Sequence, residues 1–228
     1  MARAASTPKR RTYAGATADE RAAGRRERLI EVGVELLGRD PEDGGGLTVR
    51  GACAEAGLTP RYFYESFASV EELTAAVFEH VITGAAAAVA EAIAAAKPDT
   101  AARSRATVEA FVAFAVDDPR RARILFVEGA ANEALREQRA GALRTFAELA
   151  AAQGRELYGS PAGGEALIET TSYLVAGGMA ELLLAWTRGE LGSTREQLIV
   201  DAADLLGAVG ESAARIAAAR ERAGEPGQ

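Results

Sequence analysis

Apolar residues return every third or fourth position along most of the chain, the period of an amphipathic α-helix, and the runs are cut at short intervals by glycine, proline and capping residues. The first run puts Leu29, Ile30, Val34 and Leu37 on one side and Arg21, Arg25 and Arg28 on the wet side, which predicts a helix from about Asp19 to Arg39. Pro41-Glu42-Asp43-Gly44-Gly45-Gly46 breaks it with an acidic loop. Two very short helices follow. Thr48 is an N-cap behind Leu47, and Gly57 supplies the left-handed turn that stops the helix at Ala56. Thr59 caps the second, Pro60 takes the first helical position, where its missing N–H costs nothing, and Leu58 and Phe63 hold the two places of a hydrophobic staple. Ser69-Val70-Glu71-Glu72 is a capping box that opens a much longer helix.

That helix runs to Ala96, with an alanine run from Ala85 that offers high propensity and thin packing surfaces, and Lys97-Pro98-Asp99 ends it. Thr100 to Asp117 carries Val108, Phe111, Val112 and Ala115 at helical spacing, Asp118-Pro119 starts a short basic helix to about Glu128, and a further helix spans Asn132 to Tyr158 before Gly159-Ser160-Pro161. The last two helices have the cleanest pattern: Leu167, Thr171, Leu174, Gly178, Leu182, Ala185, then Leu198, Ala202, Leu205, Val209, Ile216 after a Gly192-Ser193 turn. Gly177-Gly178 and Gly207 allow close backbone approach, and Leu183, Leu184, Trp186, Ile199 and Leu206 add more apolar surface than one core face requires. A four-helix bundle with two helices from each of two subunits explains that surplus; burial within one large monomer competes with it. The chain is therefore read as all-α, about nine helices long.

Two short helices joined by a tight glycine turn form a helix-turn-helix. Cys53 falls on the face the second helix must cross, and Phe63 points back into the core, leaving Thr59, Pro60, Arg61, Tyr62 and Tyr64 on the outer side of a rod that fits a major groove. Arg61 is the first candidate for a base contact, since a guanidinium can hydrogen-bond twice to the edge of guanine. Arg50 is the second. Tyr62 reaches a base or a thymine methyl, or packs; Thr48, Thr59 and Tyr64 suit phosphates, which fix register without reading sequence. A ligand-free helical corner has the same helix lengths.

At these residues the chain resembles the TetR family of bacterial transcriptional regulators. The resembling block, T-V-R-x-x-(small)-x-x-A-G-(apolar)-T-x-x-x-(apolar)-Y-x-x-F-x-S-x-E-E-L, runs from Thr48 to Leu73, with a basic helix before it and a helical region after it. Two positions depart from the family: Val70 stands where a phosphate-touching lysine is usual, and Gly51 where an acidic residue is common. The resemblance supports Arg50 as a DNA contact and implies a homodimer through the last two long helices, a palindromic operator on double-stranded DNA, and release by a small-molecule effector. The sequence itself offers pocket material for an effector: Phe111, Phe114, Phe126, Asn132, Tyr173 and Met179, each of which also suits the core.

Charge sharpens this picture. The net charge is −7, yet the residues through Arg28 carry eight Lys/Arg against three acids, so a basic arm precedes an acidic body and DNA is expected at one end only. Residues 1–18 read as a disordered basic arm in which Lys9-Arg10-Arg11 either enter a minor groove or merely solubilise. Residues 19–68 read as the DNA-binding domain, 69–222 as the ligand-binding and dimerisation domain, and 223–228 as a disordered tail. The single cysteine excludes an internal disulfide and suits a reducing, cytoplasmic setting; beside the recognition helix Cys53 is a small core thiol or a redox switch. No run of eighteen uncharged apolar residues suggests a membrane span. His80, the one histidine, leaves no metal site or histidine triad, no cofactor is implied, and Glu71-Glu72 is helix-start charge rather than a catalytic pair, so no enzyme is expected. Two functions stay open: a ligand-responsive dimeric repressor, and a helical ligand- or protein-binding module whose head does not read DNA. The balance of eleven basic and twelve acidic residues through Phe78, together with Val70, favours the second.

Overall fold

The computed structural model describes residues 17–40, 42, 44–129, 132–159 and 164–224. Among them it has nine α-helices and no strand, the all-α architecture expected. They are α1 (Ala18–Gly38), α2 (Val49–Ala56), α3 (Pro60–Ser66), α4 (Val70–Ala95), α5 (Thr100–Val116), α6 (Pro119–Ala122), α7 (Arg136–Tyr158), α8 (Glu165–Thr187) and α9 (Arg195–Gly224). Helix α6 continues directly into a π-helical segment, Arg123–Glu128, and a 3₁₀ turn, Glu133–Leu135, precedes α7. The stretch read as a basic arm lies outside the described residues up to residue 16, and Thr17 already caps α1 through a full capping box with Glu20. At the other end α9 extends through Gly224, into the stretch read as a tail.

The caps act much as the sequence suggests. Thr48 Oγ1 accepts from Gly51 N at 3.0 Å, and Gly57 adopts φ 67°, ψ 32°, the left-handed geometry that ends α2. Ser69 Oγ accepts from Glu72 N, but the carboxylate of Glu72 reaches Ala68 N at 2.6 Å rather than the N-cap amide, closing the box one residue early. Thr59 holds the N-cap position of α3 with its backbone while its hydroxyl makes no cap bond, a departure from its expected role.

Two cores follow from these helices. In the head, Leu29, Ala52, Phe63, Phe67, Leu73 and Val77 are fully buried where α1, α2, α3 and the start of α4 meet. The same cluster continues along α4 to Phe78 and Val81 and takes in Ile124 of the π-helical segment. A Cβ on Gly33 would lie 2.4 Å from Val77 Cγ2, so glycine sets how closely α1 crosses α4. The second core lies in the body, where Val108, Val112 and Ala115 of α5 pack with Leu183, Leu198 and Ala202. Head and body are tied by Arg120, whose guanidinium bonds both Asp118 and Glu35 of α1.

The last two helices divide their apolar residues differently from the expectation. Leu183, Leu198 and Ala202 are buried inside the protomer, and Gly207 faces Thr100 and Ser104 of α5, so its close approach is intramolecular. What stays uncovered is a narrower face: Leu174 is 67% exposed, Leu205 64% and Ile216 45%, with Gly178 open beside them. Helices α4 and α8 are each long and apolar enough by length and composition to cross a membrane, although charges interrupt them; α4 packs against α5, α1 and α7, and α8 against α7 and α9.

Candidate nucleic-acid face and ligand cavity

The turn at Gly57 presents one polar surface from α2 and α3. Thr48, Arg50, Thr59, Pro60, Arg61, Tyr62 and Tyr64 are all exposed there, while Phe63 between them is buried. The Tyr64 ring stands edge-on to Phe63, centroids 5.4 Å apart, which steadies a side chain that is 59% exposed. Arg61 is 84% exposed, with Nε bonded to Glu65 Oε1 at 3.0 Å. That bond uses Nε alone and leaves the N–H donors of both terminal nitrogens, a fork that a guanine edge can accept.

Arg25 occupies a different place from the wet side it was assigned. Its guanidinium lies 4.7 Å over the ring of Tyr62 and reaches Glu65 Oε2 at 3.5 Å, so α1 is tied to α3 through a carboxylate and an aromatic face. Tyr62 is thereby half packed, 39% exposed. Arg26 stacks on Phe67 at 4.8 Å. Glu65 and Arg25 are positioning groups that the sequence reading missed; the four-residue spacing of Arg61 and Glu65 carried the signal. Cys53 is buried, and burial pushes its thiol pKa up, which makes it a core thiol rather than a reactive one. His80 leans on the head, Nδ1 4.0 Å from Glu27 of α1.

The body holds a cavity of about 550 Å³ between α4, α5, the π-helical segment, α7 and α8. Phe111, Phe126 and Met179 line it, with Phe78, Leu143 and Phe146. Phe114, Asn132 and Tyr173 do not. Phe114 lies against Gly84 of α4 under the Arg121 guanidinium, Asn132 Oδ1 caps the 3₁₀ turn by accepting from Ala134 N, and Tyr173 faces outward, 40% exposed. A smaller cavity of about 250 Å³ adjoins it toward α9, and Gln153 and Leu206 stand between the two. No group of three or more His, Cys, Asp or Glu able to hold a metal occurs among the described residues.

No protein-family model matches the sequence, and no curated protein matches it. Solved structures do. A TetR-like transcriptional regulator from Rhodococcus sp. RHA1 superposes with a TM-score of 0.54 at 17% identity, over 89% of this chain and 98% of that one. The fatty acid degradation regulator FadR from Bacillus halodurans gives 0.61 at 15% identity, over 79% and 97%. The multidrug binding protein EbrR, solved with imidazole, gives 0.59 at 19% identity, over 81% and 94%. At these identities the likeness is one of fold: the chain has the fold of TetR-like transcriptional regulators.

Proposed function

We propose that the protein is a cytoplasmic, homodimeric, ligand-responsive DNA-binding transcriptional regulator, a repressor released from a palindromic operator by a small-molecule effector. One observation carries the reading: Phe78 belongs both to the core that seats the recognition helix and to the wall of the body cavity. Anything filling the cavity presses on a side chain that helps set the angle of the head. Ligand and DNA then oppose each other reciprocally. Arg61 and Arg50 read bases, Tyr62 adds a contact beside Arg25, and Thr48, Thr59, Pro60 and Tyr64 seat the head on phosphates and sugars. The uncovered Leu174–Leu205–Ile216 face supports pairing with a second copy, which sets two heads at a fixed spacing. The fold shared with a fatty acid degradation regulator and a multidrug binding protein agrees with this.

The test is selection of bound fragments from a random double-stranded pool at near-physiological salt, wild type beside Arg61→Ala. A palindrome enriched by the wild type, with preference at one base pair per half-site lost in the variant, is the expected outcome, a discrimination loss of about 1–3 kcal/mol. A second reading, a ligand- or protein-binding module with a silent head, is favoured by the carboxylates of Glu65 and Glu55 paired to Arg61 and Arg39 on the head. Absence of any enrichment down to low salt would select it.

A further inference from the structure

We infer that the body cavity takes an uncharged amphiphile, with one hydrogen-bonding group held at Gln153 and Thr107 and an apolar body lying against Phe111 and Phe146 toward Phe78. This rests on the cavity being the effector site. The register of α5 against α7 sets the direction. Thr100 bonds Tyr158 at 2.9 Å, Arg103 bonds Glu156, and the Phe111 and Phe146 rings meet with centroids 5.0 Å apart, so the two helices run antiparallel. Thr107, one turn beyond Arg103, falls opposite residues 150–152 in that register, within a turn of Gln153, and both line the cavity. The uncharged polar groups Thr107 and Gln153 thus lie toward the end far from the head, the phenylalanine pair lies between, and Phe78 stands at the near end together with Arg139, which reaches Gly129 beside it.

The wall from α7 runs from Arg139 to Gln153, about 21 Å of helix at the usual rise, so the cavity suits an elongated molecule. Charge decides the rest. Only Arg139 and Glu181 are charged among the described lining residues. Arg139 already donates to the Gly129 carbonyl at 2.7 Å, and Glu181 is solvent-exposed. Arg139 keeps its charge while bonded to a neutral carbonyl, but it stands about 21 Å of helix away from Gln153, so an ionised headgroup held at the Gln153 end would lose its water with no lining charge beside it. The Gln153 amide, in contrast, makes no hydrogen bond to any described residue. Thr107 spends its proton on the Arg103 carbonyl at 2.8 Å and is left to accept. An amide that can donate and accept beside a hydroxyl that can only accept matches an alcohol or a secondary amide.

The test is displacement of the neutral fluorescent dye N-phenyl-1-naphthylamine from the full-length protein by decan-1-ol, decanoate and decyltrimethylammonium. Decanol is expected to compete at a concentration about ten-fold below either ion, equivalent to about 1.4 kcal/mol. Gln153→Leu should bind the dye and lose most of that advantage, and Gln153→Glu should shift the preference to the cation; if one variant fails to fold, the other decides. Ions competing as well as the alcohol, selectivity unchanged in the folded variants, or no dye binding by the wild type would each overturn the inference. Operator binding measured in the same samples separates the two ideas: an alcohol preference with operator affinity untouched upholds the ligand class and removes effector release.

Discussion

Head and body are built from the same helices and packed to opposite ends. In the head every large apolar side chain of α3 that points inward is fully buried, and the recognition face is braced by a stacked arginine, a shared carboxylate and an edge-on ring pair. The body leaves about 550 Å³ unfilled, and its last two helices keep leucines in water. Close packing holds a polar face within the tolerance that base contacts demand, whereas an unfilled interior has room to change when something enters. Rigidity where a sequence would be read and slack where a ligand would be sensed are complementary requirements of the proposed switch.

The largest expected effect tests this contrast directly. Phe63→Ala removes a ring with no solvent exposure that touches Phe67 and Tyr64, and should cost about 3–5 kcal/mol. Phe126→Ala removes the same atoms from a cavity wall, where one side of the ring already lacks neighbours, and should cost about 1–3 kcal/mol. Denaturant melts of both variants measure the gap; equal losses would mean that the cavity is not a region of looser packing.

Next in size is the uncovered face of the body. Leu174→Asp with Leu205→Asp places two carboxylates on each protomer where apolar surface should meet its copy, and should weaken self-association on the order of a hundred-fold. Sedimentation velocity across a concentration series checks it, while the melting temperature at fixed concentration guards against misfolding. Unchanged self-association would place the interface elsewhere.

How much of this could be read from the sequence also differs between head and body. Short helices with hard stops are legible because single residues decide them: Gly57 must turn left-handed, Pro60 must start a helix, and both do. The orientation of Arg25 was not legible, since periodicity gives a side of α1 and not the ring of Tyr62 waiting there. In the body, spacing identified Phe111, Phe126 and Met179 as available, but could not tell Phe111 from Phe114, three residues on, which instead meets Gly84. The π-helical segment Arg123–Glu128 was invisible because it shifts every later side chain around the helix without any residue that announces it. Which apolar residues of the last two helices are covered within the protomer was not legible for a related reason: an apolar stripe does not say whether its partner is the same chain or another copy.

A smaller effect probes the joint between the two regions. Asp118 receives hydrogen bonds from Arg120, which hold its carboxyl below the usual carboxylate range against the opposing effect of partial burial. A lowered folded pKa means that this stabilisation is complete above the unfolded value near ~4 and is lost as pH falls through the folded one. Asp118→Asn should therefore cost about 1–2 kcal/mol at neutral pH, a few degrees in melting temperature, and the difference from wild type should shrink as pH falls below the unfolded carboxylate value toward the lowered folded one. With Arg120 freed from one of its two anchors, the grip on Glu35 of α1 also slackens, and ligand should lower operator affinity less than in the wild type. A pH-independent difference would point to packing in place of charge.

The smallest expected effect concerns the head alone. Glu65 accepts from Arg61 Nε on its own helix and from Arg25 Nη2 of α1, so one carboxylate aims the reading arginine and holds the stack over Tyr62. Glu65→Gln keeps the shape but leaves one acceptor oxygen for two guanidinium donors, so one of the two bonds is lost and the other loses its ion-pair attraction. The pair is exposed, so folding stability should change by less than about 0.5 kcal/mol. Preference for the base pair facing Arg61 should nevertheless fall about three- to five-fold, less than in Arg61→Ala, because the guanidinium is present but no longer confined to one orientation. Removing a negative charge from the surface proposed to face DNA should at the same time raise affinity for random DNA slightly. Sequence preference and non-specific affinity moving in opposite directions distinguish aiming from simple attraction. If both rise together, Glu65 does nothing but repel phosphate, and the bracing attributed to the head would reside in Phe63 and Tyr64 instead.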